Sequence, residues 1–172
     1  MDILLSENQI QNRVAEMATM ISTDYRDSRL TIVGILKGSF VFVADLIRHI
    51  DASIPLEVDF ITVSSYGGGT ASSGEIRIRK DVDVPLAGKD VMLVEDIVDS
   101  GRTLSRVRDF IATRGTRSIR VATLLEKPAA RKYAGTLDYV GFQIPDQFVV
   151  GYGLDHAENF RNLKDIRVLD AN

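Results

Sequence analysis

Residues 91–104, Val-Met-Leu-Val-Glu-Asp-Ile-Val-Asp-Ser-Gly-Arg-Thr-Leu, constrain the fold more than any other stretch of this chain. An apolar run of strand length ends at an acidic pair, Glu95 and Asp96. A loop of Asp99, Ser100 and Gly101 then opens a segment with helical periodicity at Arg102 and Thr103. Three carboxylates crowded at the end of one strand are hard to explain by packing alone.

A helix N-terminus offers unpaired N–H groups and a partial positive charge, which suit a phosphate. Ser100 and Thr103 add hydroxyl donors beside it. Glu95 and Asp96 would repel a phosphate at close range, so their natural partners are hydroxyl groups or a divalent cation such as Mg2+. A sugar phosphate supplies all of these. The plainer account is that Asp99 or Ser100 caps the helix, a role of ~1 kcal/mol. One cap does not call for three carboxylates. The Gly-x-x-x-x-Gly-Lys-Ser/Thr spacing of a triphosphate loop is absent, and no lysine stands in this loop.

Around this run, strand and helix patterns alternate. Ser6 and Gln9 have capping-box spacing ahead of Ile10, Val14, Met17, Ala18 and Ile21 on one helical face. A buried strand is expected over 30–36, a helix over 40–50, strands over 56–63, 75–80 and 91–94, a helix over 103–114 ended by Gly115, and a strand over 119–125. Such alternation implies an α/β fold with a parallel sheet, whose ligands gather at the carboxyl ends of the strands. Short apolar segments at 139–144, 148–152 and 166–169 suggest extra strands beside that sheet.

With 172 residues and 45% apolar content the chain can bury one core, so a single domain over 1–172 is the simplest count. No apolar stretch approaches 18 residues, and the N-terminal residues are polar and acidic rather than basic, so a cytoplasmic protein without membrane contact is expected. The absence of cysteine excludes disulfides, thiolate catalysis and a cysteine zinc site. A net charge of −3 gives no global attraction to nucleic acid, which favours a small-molecule partner. Of the two histidines, His49 falls in an apolar helical pattern, where a helix-end or packing role is expected.

Other candidates each have a bland reading beside the functional one. Lys37-Gly38-Ser39 is a strand-to-helix turn whose backbone N–H groups could meet an anion, or an ordinary exposed turn. The Gly- and Ser-rich stretch 64–74 is a hairpin tip or a mobile loop over a site. Lys127 ends an apolar strand before Pro128, where a lysine is most often solvated. Phe148, followed by Val149 and Val150, is usually core, and Arg161 usually a surface ion pair.

The run from Val94 to Thr103 resembles the phosphoribosyl-diphosphate signature of type I phosphoribosyltransferases, in the variant of their hypoxanthine-guanine branch. The resemblance extends from about Ile10 to Leu169, with the stretch from Phe148 to Asp155 the next most specific. It implies that fold, a central mostly parallel sheet flanked by helices with a small hood of extra strands formed mainly by 127–172. It implies transfer of the 5-phosphoribosyl group from phosphoribosyl diphosphate to hypoxanthine or guanine, giving IMP or GMP and diphosphate in purine salvage.

Residue by residue, the resemblance implies Asp99 as general base. Glu95 and Asp96 lie at the ribose hydroxyls, and Asp99, Ser100, Gly101, Arg102 and Thr103 wrap the 5'-phosphate. Lys37, Gly38 and Arg161 hold the diphosphate, with Ser65 and Tyr66 on a lid over about 64–75, and the Leu36-Lys37 peptide can be cis. Lys127, Phe148, Val149 and Asp155 bind the purine, Lys127 through its 6-oxo group. Mg2+ is implied at Glu95, Asp96 and Asp155, and relatives are commonly homodimers or homotetramers.

Arg102 stands where relatives often carry lysine, and Ser100 where many carry threonine, both keeping donor character. Glu126 beside Lys127 bears on the lysine's electrostatics and so on base preference. A preference for xanthine or another base is one alternative. A nucleotide-sensing regulator with this fold is a second, disfavoured by the lack of any strongly basic segment.

Overall fold

The computed structural model describes residues 1–65 and 75–169, with Ser65 as backbone only. Its elements are β1 (Ile3–Leu5), α1 (Glu7–Asp24), β2 (Leu30–Leu36), α2 (Phe40–His49), β3 (Leu56–Ser65), β4 (Ile76–Lys80), β5 (Asp90–Val98), α3 (Arg102–Ala112), β6 (Ser118–Glu126), β7 (Tyr139–Gln143), β8 (Val149–Val150) and β9 (Ile166–Val168).

Six strands form the main sheet in the order β4-β3-β2-β5-β6-β7. All neighbours are parallel except β4, which returns antiparallel on β3. Alternation along the central strands covers both faces. Ile32, Met92, Val94 and Leu124 join the core beneath α1 and α2, whereas Val33, Val91, Leu93 and Val121 join the core beneath α3. The capping box predicted at Ser6 and Gln9 is formed, and Ile10, Val14, Met17, Ala18 and Ile21 are all fully buried. His49 lies in the last turn of α2, where a basic side chain suits the helix dipole.

The structure departs from the sequence expectation in the length of β5 and in the make-up of the hood. The strand expected over 91–94 runs on to Val98, because Glu95, Ile97 and Val98 continue the pairing with β6 at Thr123, Leu125 and Glu126. The acidic pair is therefore held in a strand, not a loop. β7 extends the main sheet beside β6 instead of joining the hood. The hood is a separate antiparallel sheet, β1-β9-β8, and its first strand comes from the N-terminus. Tyr66 and residues 66–74 of the expected lid lie outside the described residues.

Candidate functional site

A cavity of about 260 Å³ opens at the carboxyl ends of β2 and β5. Its wall includes Leu36, Gly38, Glu95, Asp96 and the whole loop from Asp99 to Thr103. The sequence-predicted sugar-phosphate residues are thus brought together, at the place where parallel sheets collect ligands. Lys37, Lys127, Phe148, Val149, Asp155 and Arg161 do not line it.

The end of the cavity expected to hold a phosphate is built by α3. Its N-cap is Gly101 at φ 85°, a conformation that favours glycine, and that residue brings no side-chain acceptor to the first turn. Ser100 Oγ accepts from Arg102 N at 3.3 Å, so the capping role expected for Asp99 or Ser100 falls to Ser100 in part and not to Asp99. The Ser100 carbonyl accepts from Lys132 N at 2.9 Å and from Tyr133 N at 3.0 Å, and Arg102 Nε donates to the Tyr133 hydroxyl at 2.9 Å. These bonds pin the loop against 132–133, and Arg102, Thr103 and Leu104 of the first turn line the cavity, where a helix N-terminus suits an anion. Nothing in the sequence around Tyr133 marks this role.

Glu95 and Asp96 are both buried, and among the described residues neither forms an ion pair with a basic side chain. Burial, with the Asp96 charge added, pushes the Glu95 carboxyl well above the ordinary carboxylate range, and burial raises Asp96 too. A buried carboxylate pair with no ion-pair partner among the described residues, and only the more distant Arg161 charge acting on Asp96, fits a cation or a set of hydroxyl donors. No group of three or more acidic or histidine side chains converges on a metal position among the described residues, so Asp155 does not complete a cage with this pair. Mg2+ suits such a two-carboxylate site, because it takes its remaining ligands from water and substrate phosphates.

The Leu36-Lys37 peptide is cis. Lys37 Nζ lies 3.0 Å from Glu158, and Arg161 reaches both Glu158 at 3.4 Å and Asp155 at 3.0 Å. One carboxylate thus ties together the two cations expected at the diphosphate, a link invisible in the sequence because Glu158 and Lys37 are far apart in the chain. The Lys37 and Arg161 charges hold Glu158 below its usual range. Arg161 also donates to the Gly153 carbonyl at 2.8 Å, and Tyr152 OH donates to Asp45 of α2 at 2.6 Å, so the hood is fastened to the helix that follows the Lys37 turn.

At the end of β6 Lys127 is buried, 6% exposed, against the expectation of a solvated lysine. Its Nζ lies 3.3 Å from Asp99 Oδ2, which joins it to the phosphate loop. Glu126 is turned away and pairs with Arg131 at 3.1 Å, so the neighbouring acid does not neutralise Lys127. Phe148 is 53% exposed and meets His156 edge-on, with ring centroids 5.4 Å apart, so the core reading of Phe148 is excluded. Val149 is buried and pairs with Val168 in the hood.

The model of the phosphoribosyl transferase domain matches residues 2–157. The chain is 49% identical over 167 residues to a hypoxanthine-guanine phosphoribosyltransferase of Bacillus subtilis (strain 168), covering 97% of this chain and 92% of that one. Its structure is similar to a hypoxanthine-guanine phosphoribosyltransferase of Bacillus anthracis, with a TM-score of 0.93, 46% identity and 99% of each chain covered. A hypoxanthine phosphoribosyltransferase of Staphylococcus aureus matches with a TM-score of 0.92 and 46% identity, over 98% of this chain and 91% of that one.

Proposed function

This chain belongs to the phosphoribosyl transferase family, and from that premise we propose that it is a purine-salvage enzyme that moves the 5-phosphoribosyl group of phosphoribosyl diphosphate onto hypoxanthine or guanine. The observation that carries the reading is the pairing of Lys127 with Asp99 at the edge of the phosphate loop. A buried ammonium there suits a 6-oxo acceptor, and the carboxylate beside it suits a neighbouring N–H. Adenine's amino group would leave the ammonium without an acceptor, a cost of ~1 to 3 kcal/mol.

In this reading the first turn of α3, Ser100 and Thr103 hold the 5'-phosphate, and Glu95 and Asp96 meet the ribose hydroxyls. Breaking the bond at ribose C1 leaves positive charge on the ring and negative charge on diphosphate. The backbone of Lys37 and Gly38 and the Arg161 guanidinium face the departing diphosphate; Ser65 and Tyr66 complete that set by resemblance alone. Mg2+, held by Glu95 and Asp96 with Asp155 acting through water, would supply further positive charge at the leaving group. Purine N9 forms the new bond to C1 while the N7 proton passes to Asp99. Phe148 stacks on the base, and backbone groups at Val149 read its edge.

A cytoplasmic location and a homodimeric or homotetrameric assembly belong to the same reading; among the described residues no helix is long and apolar enough to cross a membrane. The test supplies purified protein with Mg2+, phosphoribosyl diphosphate and each purine in turn, and measures nucleotide formation. IMP and GMP are the expected products. Failure with hypoxanthine and guanine alike would overturn the proposal.

A further inference from the structure

The turn between β7 and β8 brings a second carboxylate to Lys127 that base stacking and base protonation leave unexplained. Asp146 Oδ1 lies 3.4 Å from Lys127 Nζ, on a nitrogen already 3.3 Å from Asp99 Oδ2. The lysine side chain is 7% exposed, whereas those of Asp99 and Asp146 are 56% and 61% exposed. A buried ammonium is therefore balanced by two carboxylates that reach it from different loops. Glu126, the nearest acid in sequence, is committed to Arg131.

Both loops are anchored by backbone bonds to the end of β6. Lys127 N donates to the Val98 carbonyl at 2.9 Å, and Ile144 N donates to the Glu126 carbonyl at 2.9 Å. Gln147 N donates to the Pro145 carbonyl at 2.8 Å, which closes a tight turn around Asp146. Phe148 follows two residues later, so one turn carries the base-stacking ring and a partner of the base-reading lysine.

We propose that Asp146 is a positioning residue for purine selection, holding the Lys127 ammonium toward the 6-oxo group while Asp99 attends to the N7 proton. The inference rests on the 6-oxopurine reading of the site. An ammonium has three N–H groups, so two carboxylates still leave one donor for the base. With Asp99 as its sole partner, Lys127 would hold that carboxylate away from the purine. Once Asp99 took the proton, a buried ammonium would then stand without a counter-charge, which is costly. Asp146 gives Lys127 an anionic partner at both stages.

The test compares the wild-type protein with Asp146→Asn and Asp146→Glu, using hypoxanthine as substrate and unsubstituted purine, which lacks the 6-oxo group, as a competitive inhibitor. Asp146→Asn is expected to raise the KM for hypoxanthine about tenfold, as one of the two anionic partners of the buried ammonium is lost. The KM for phosphoribosyl diphosphate and the inhibition constant of unsubstituted purine should stay unchanged, and Asp146→Glu should recover part of the loss. An unchanged KM for hypoxanthine in Asp146→Asn, or an equal loss with unsubstituted purine, would overturn the assignment. A wild-type protein that makes no nucleotide overturns the 6-oxopurine reading instead. Because the Asp146 side chain is itself 61% exposed, the isosteric substitution opens no cavity in the core.

Discussion

Asp96 Oδ2 stands 1.8 Å from the point that a Cβ on residue 38 would occupy, so Gly38 is the only residue that lets the acidic strand touch the Lys37 turn. The contact joins the carboxyl end of β5 to the loop after β2, and hence, in the proposed reading, the residues at the ribose to those at the diphosphate. Gly38→Ala must push the carboxylate or the loop aside. A displacement of that size is expected to lower kcat/KM for phosphoribosyl diphosphate about 100-fold. Steady-state kinetics check this; activity within a few-fold of wild type would show that the close approach is dispensable.

Asp99 and Lys127 are paired across the edge of the same cavity, yet Asp99 remains half exposed and able to meet a base. Asp99→Asn keeps the shape and removes the basic carboxylate. Turnover is expected to fall about 100- to 10,000-fold, as for loss of a general base, with much smaller changes in either KM. Equal losses in turnover and binding would count against the proton-acceptor role.

What the sequence made legible was local. The Ser6–Gln9 box and the apolar face behind it are a pattern within one helix, and the loop from Asp99 to Thr103 is one contiguous run. What it hid depends on distant partners. β1 is three residues long and exists because β9 pairs with it from the other end of the chain. The end of β5 was misplaced because two acids break an apolar pattern, although pairing with β6 keeps them in the strand. Glu158, Asp146 and Tyr133 pair with Lys37, Lys127 and Arg102 only through the fold.

Glu95 offers a test of function traded against stability. Its carboxyl is raised by burial and then by the Asp96 charge, so the folded state holds the proton more tightly than the unfolded chain does. The resulting stabilisation is fully present below the unfolded pKa and is lost as pH rises through the folded one. Without ligands, Glu95→Gln should therefore melt at a higher temperature than wild type on the alkaline side of that transition, and the difference should shrink as pH falls. Phosphoribosyl diphosphate with Mg2+ should reverse the order. At 100 times its Kd a ligand adds about 2.7 kcal/mol to a protein that binds it, and the variant should lack that gain. Thermal melts across pH, with and without ligands, read both effects; a variant less stable than wild type at alkaline pH would contradict the burial argument.

Phe148 separates base recognition from folding. A phenylalanine packed in the core costs about 3 to 5 kcal/mol when cut to alanine, but the Phe148 ring is 53% exposed and touches the edge of His156. Its truncation should leave the melting temperature of the ligand-free protein nearly unchanged. If the open face stacks on a purine, the loss appears in base binding at about 1 to 3 kcal/mol, the usual worth of base–aromatic stacking. That corresponds to a KM for hypoxanthine raised roughly 5- to 150-fold, with the KM for phosphoribosyl diphosphate unaffected. Phe148→Tyr retains a stacking face and should stay near wild type. A large fall in melting temperature for Phe148→Ala, with base binding preserved, would return this ring to a structural role.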